Sequence, residues 1–343
     1  MLFKKAISAI TVVIVLVVLA IFSTSNTFAR PDDKIRVVVS IDILGAIISP
    51  IVNGVGVVYS IVSEGTEPHS FTLTPNTVNM ALDSDLIVVT GHMGWENDLV
   101  RRVAEEKRAH TDLISISLLS LTGIRILSLN GERNIHGFWL LPDNALVIAK
   151  AVRDKLSELK PEYAQKLSEN YAAFERDIYS LKIFLSNLSE KYNLSSRSVA
   201  IGFYAEHYIA EAFGLKVDSI LIGEEEAVRP ESLRKIYEGF RSGRYACIIV
   251  SDTALLIKSV KDALREISTE TGCPVAYVIA ISTSGVKKYD AIMYYNAGQV
   301  YSALLSKHEM VSSGVNIYLL TTVVSLLVII FETALLVKGR IKL

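Results

Sequence analysis

The sequence predicts an α/β protein of two lobes, each built on a mainly parallel sheet, joined by a long connector helix and flanked by an apolar segment at either end. Three observations predict this class. Short β-branched runs alternate with stretches of helical periodicity. The alternation stops and restarts once, and a long one-sided helical stripe lies between the two blocks. Half of the 343 residues are hydrophobic and 21% are charged, which suits packed cores and excludes a disordered chain.

Residues 1–29 open with Lys4 and Lys5 before an uncharged stretch, 6–22. That is the charge order of a secretory signal, and the stretch is also long enough to stay as a signal anchor. Residues 33–142 form the first lobe, with strands expected at 35–43, 57–62, 86–89 and 113–116 and a helix opening at Pro75. Residues 143–195 form the connector. There Tyr163, Leu167, Tyr171, Phe174, Ile178, Leu181 and Leu185 recur at three- and four-residue intervals. Residues 196–308 form the second lobe, with strands expected at 199–203, 246–250 and 275–281. Helices are expected from Glu206 to Phe213 and from a cap at Asp252 to Thr271. Residues 315–337 are apolar and long enough to cross ~30 Å of hydrocarbon at ~1.5 Å per residue. Lys338, Arg340 and Lys342 follow at once, so this transmembrane anchor should leave its C-terminus inside and the body extracytoplasmic.

Composition removes several functions. Lys+Arg (35) nearly cancels Asp+Glu (36), so no charge excess points to nucleic acid. Gly54 and Gly56 lack the third glycine of a dinucleotide loop, because Tyr59 stands there. No phosphate-binding loop, nucleophile elbow or His-Glu-x-x-His helix is present. The chain is expected not to be an enzyme. Cys247 and Cys273 lie far from the N-terminal segment, so neither carries a lipid there; two buried thiols are preferred over a disulfide.

Two of the six histidines have telling surroundings. His69 follows Pro68 and precedes Thr74-Pro75 in a loop after the second expected strand. His136 opens the run His136-Gly-Phe-Trp139-Leu140-Leu-Pro142-Asp-Asn144-Ala145. These motifs, with Ser84-Asp85-Leu86, the glycine loop from Gly91 to Glu96, Ala212-Phe213-Gly214-Leu215 and Tyr294-Tyr295-Asn296, resemble the metal-binding solute receptors of ABC importers. The resemblance spans about residues 37–305 and implies a receptor that carries zinc, or manganese, to a permease in the membrane. It implies two imidazoles from the first lobe, His69 and His136, and two ligands from the second. Those last two fall at Phe203 and near Ile279 or Ala280, which offer no donor. Glu206 and His207 are the nearest substitutes, with His207 taken as the third metal ligand; the acidic run Glu224 to Glu226 is a further source of donors. His92 is a possible extra donor but reads first as loop surface. The competing expectation is a cell-surface interaction module of the same fold whose metal site has decayed.

Overall fold

A computed structural model describes residues 34–62, 64–222, 227–283 and 285–306, together with 322, 325 and 326. The described residues 35–306 belong to one unit. Strand β1 (Ile35–Ile41, IRVVVSI) is buried at all positions but one, as a central parallel strand covered on both faces must be. It is flanked by β2 (Gly56–Val62) and by β3 (Leu86–Val89), and β4 (Ser115–Ser117) closes the sheet in the order β2-β1-β3-β4, all parallel. Helices α1 (Asp42–Ile48), α2 (Pro75–Leu82) and α3 (Gly94–Lys107) lie on the crossovers. Pro75 starts α2 because it needs no amide partner there. Thr74 and Thr77 each accept the other's backbone N–H, a capping box that fixes the chain leaving the His69 loop.

The sequence expectations differ from the structure at several ends. The first strand stops at Ile41, where Asp42 begins α1. The expected strand at 113–116 starts two residues later, because Thr111–Ile114 (α4) makes a helical turn. The hairpin β5 (Leu127–Leu129) and β6 (Glu132–Asn134) was not expected.

The connector is two helices, α5 (Pro142–Leu159) and α6 (Ala164–Lys191), parted at Lys160-Pro161 where proline cannot continue the hydrogen-bond ladder. Leu167, Phe174, Ile178, Leu181 and Leu185 of the apolar stripe are buried along α6. The helix touches both lobes. Asn170 Nδ2 donates to the carbonyls of Ile51 and Asn53 in the first, while Phe184 and Tyr192 pack on Tyr294 and Tyr301 of the second.

The second lobe repeats the plan. Strands β7 (Ser198–Ile201), β8 (Lys216–Ile220), β9 (Tyr245–Ser251) and β10 (Val275–Val278) form a parallel sheet in the order β10-β9-β7-β8. Helices α7 (Ala205–Ala212), α8 (Pro230–Arg241), α9 (Lys258–Thr271) and α10 (Tyr289–Leu305) cover it. Asp252 is not a helix cap. A 3-10 turn at Ala254–Leu256 intervenes, α9 starts at Lys258, and the Asp252 carboxylate instead accepts the N–H groups of Ala280, Ile281 and Ser282. Cys247 and Cys273 are free and buried.

The lobes are closed on each other. Asp42 accepts the backbone N–H of Thr283, and Ile43 N–H donates to the Ile281 carbonyl. Trp139 Nε1 donates to the Ala280 carbonyl and the Tyr289 hydroxyl to the Leu140 carbonyl. The expected membrane anchor at 315–337 and the N-terminal segment 1–29 lie outside the described residues, apart from 322, 325 and 326. Among the described residues no helix is long and apolar enough to cross a membrane.

Candidate metal centre

Parallel pairing of β1 with both β2 and β3 puts the carboxyl ends of those strands at one edge of the sheet. The loop after β2 carries His69, and the loop after β3 carries His92. His136 arrives from a different direction, on the turn that leaves the β5-β6 hairpin. The three rings converge, with centroids 5.3 Å apart for His69–His92, 5.2 Å for His69–His136 and 5.1 Å for His92–His136. One nitrogen from each lies within 4.8 Å of the others. A tetrahedral zinc with Zn–N bonds of about 2.0–2.1 Å holds its nitrogens roughly 3.4 Å apart, so small side-chain adjustments close the set around one ion.

Each histidine is held from behind. Glu67 accepts the N–H groups of His69 and Ser70 at 2.9 and 2.6 Å, and Trp95 Nε1 donates to the Pro68 carbonyl at 2.8 Å, so the His69 loop is pinned at both ends. Glu96 is fully buried and accepts the N–H groups of Thr90, Gly91 and Met93 and the Thr90 hydroxyl. The Thr90 proton therefore points at a carboxylate, and Thr90 Oγ1 can only accept from His92 Nδ1, 2.8 Å away. That places the His92 proton on Nδ1 and leaves Nε2 with its lone pair free, the tautomer a metal needs. His136 N–H donates to Asn134 Oδ1, and Asn134 Nδ2 donates to the Tyr204 carbonyl. Gly137 has φ +94°, and a Cβ there would stand 2.8 Å from Ala205 Cα, so only glycine lets this turn meet the second lobe. Asn144, of the second histidine motif, bonds Arg125 N–H and the carbonyls of Arg125 and Phe138, which fixes the turn carrying Trp139.

Burial and the neighbouring imidazoles make His92 and His136 reluctant to take a second proton. Burial first, then His69, pushes His92 down to about 4. Burial first, then His92 and His69, pushes His136 down to about 3. Both are neutral at pH 7, so each keeps one ring nitrogen unprotonated for a cation. The three histidines line a chamber of about 20 Å³, room for one water-sized occupant.

The second lobe closes this chamber with Phe203, Ala205, Thr253 and Ile281. Phe203 and Tyr204 each lie 5.7 Å from the His136 ring. Ala280 presents only its backbone, to Trp139 and Asp252. His207 is not brought to the cluster. Ala205 faces the chamber, and two residues on, a helix has turned about 200°; His207 instead packs on Tyr208 and faces Glu211 and Arg125. Glu206 is fully buried and accepts the N–H groups of Phe203 and Ser251, with burial pushing its carboxyl up to about 7. It holds the β7 exit as Glu96 holds the β3 exit. The acidic run at 224–226 lies outside the described residues.

The family profile described as "Zinc-uptake complex component A periplasmic" matches residues 37–303. The iron-binding protein YfeA of Yersinia pestis is 26% identical over 257 residues, covering 74% of this chain and 81% of its own. The manganese-binding lipoprotein MntA of Halalkalibacterium halodurans is 23% identical, covering 88% of this chain and 99% of its own. The fold is also that of the manganese-bound periplasmic metal-binding protein of Candidatus Liberibacter asiaticus, with a TM-score of 0.64 and 20% identity over 79% of this chain and all of that one.

Proposed function

This chain belongs to the ZnuA family of periplasmic zinc-uptake components, and from that membership we propose that it captures a divalent transition metal, zinc before manganese, on His69, His92 and His136 for handover to an ABC permease. The family is one of metal-binding ABC transporter substrate-binding proteins and not of enzymes. The observation that carries the proposal is the convergence of three imidazole nitrogens within 4.8 Å. The preference for zinc is supported by the donor set, three imidazole nitrogens with no carboxylate among them. Manganese favours carboxylate oxygen, whereas imidazole suits zinc. The cargo should be held outside the cytoplasm by a body tethered through residues 315–337.

Melting the chelator-stripped protein against added metal tests this reading. Zinc at a hundredfold excess over its dissociation constant should stabilise the fold by ~2.7 kcal/mol, with a smaller gain at equal manganese. The zinc gain should vanish in His69→Ala combined with His136→Ala. No gain with either metal favours the same fold used as a metal-free surface module, a reading supported by the donorless Phe203 and Ala280.

A further inference from the structure

Three histidines leave one position of a tetrahedral ion open, and that position faces the second lobe. Of the four second-lobe residues lining the chamber, Phe203, Ala205 and Ile281 have no polar side-chain atom; Thr253 has one. Thr253 is 6% exposed, and its Oγ1 is buried without a hydrogen-bond partner among the described residues. Its place in the chain does not account for the hydroxyl. Thr253 precedes the 3-10 turn Ala254–Leu256 but makes no capping bond; Ser251 Oγ accepts the Ala254 N–H instead. An unsatisfied buried hydroxyl is a standing cost to the fold, and valine would fill the same space without it. The residue also lines a neighbouring chamber of about 160 Å³, bordered by Asp42 and Asp252, so it stands between that space and the histidines. Those two carboxylates are engaged by amides of the 280–283 loop, whereas the Thr253 hydroxyl has no partner among the described residues.

Resting on the metal-capture reading above, we propose that Thr253 is the positioning residue for the fourth ligand of the ion: with the ion in the small chamber, a water bound to it on the side of the larger one donates an O–H to Thr253 Oγ1. Rotation about χ1 moves Oγ1 among the staggered positions of a side chain that lines both chambers. The second lobe then touches the cargo through one hydrogen bond rather than through coordinating side chains. Opening the lobes removes that bond and leaves three imidazoles on the ion.

The test uses the full chain with Zn2+ and Co2+ as probes, comparing wild type with Thr253→Val and Thr253→Ser. The valine variant should bind zinc about tenfold more weakly, the scale of losing a group that orients a metal ligand. It should shift the visible bands of bound Co2+ and, without metal, melt no lower than wild type. The serine variant should restore affinity and spectrum. Should Thr253→Val fold poorly, Thr253→Ala is read in the same way. Unchanged zinc affinity and Co2+ bands in the hydroxyl-free variants, with wild type still binding, overturn the role of Thr253 alone. A hydroxyl-free variant that loses metal-free stability as serine keeps it marks Thr253 as merely structural and also overturns it. A wild type that takes up neither metal removes the site itself.

Discussion

Glu96 never faces the ion, yet it decides what His92 can do. It draws the Thr90 hydroxyl proton, and through it sets the proton on His92 Nδ1. Glu96→Gln should therefore weaken zinc binding about 10- to 100-fold while all three histidines remain, measured by competition with a chromogenic chelator. Acid provides a second residue-scale prediction. His92 and His136 are held at about 4 and about 3 in the folded chain, below the unfolded value of 6.5. Between those limits the unfolded chain binds more protons at these two rings, so they withdraw stability from the metal-free fold as pH falls from 6.5, offset in part by Glu206, whose raised carboxyl takes up its proton first in the folded chain. The loss is about 1.4 kcal/mol per pH unit for each ring. Melting at pH 6.5 and pH 5 checks it; His136→Gln should show a shallower fall, and equal falls would contradict the cause given. His69 and His136 were legible in the sequence because each sits in a run of prolines, aromatics and asparagine whose positions the structure explains by loop pinning. His92 was not, since no local spacing links it to the others; the parallel order of β2, β1 and β3 unites the loops. His207 was misread because a two-residue step from Ala205 reverses the helix face.

At the scale of elements, the turn through Gly137 joins the site to the lobe contact. Gly137→Ala combines a strained positive φ with a Cβ 2.8 Å from Ala205 Cα. It should cost about 2 kcal/mol or more and displace His136, so both melting temperature and zinc affinity should drop. The connector behaves otherwise. Leu181 is fully buried on α6, remote in sequence from the three histidine loops, and Leu181→Ala should cost about 2–5 kcal/mol with zinc affinity of the folded protein unchanged. The α6 stripe and the central strands were readable because burial imposes their periods of 3.6 and of unbroken apolar runs. The β5-β6 hairpin and β8 were not. Each is short and partly exposed, β6 (ERN) is polar, and β8 is an edge strand whose pattern (KVDSI) carries little apolar signal. Asp252 looked like a cap because it follows a strand and precedes a helix; its carboxylate is spent across the sheet edge on the loop that leaves β10.

Over the whole molecule, the two lobes divide the labour unevenly. The first supplies three nitrogens from three loops, each braced by a buried or backbone partner. The second supplies aromatic and aliphatic cover, one threonine and the lobe-closing hydrogen bonds from the 280–283 loop. On the proposed metal-capture reading, the cargo would stay on the first lobe if the lobes part. The most direct test is anomalous diffraction at the zinc edge from crystals of the two-lobed body grown with one equivalent of zinc. The account predicts a single peak about 2.0–2.1 Å from one nitrogen each of His69, His92 and His136. A peak that leaves any of the three rings uncoordinated, or that is ligated by a side chain of the second lobe, would contradict it.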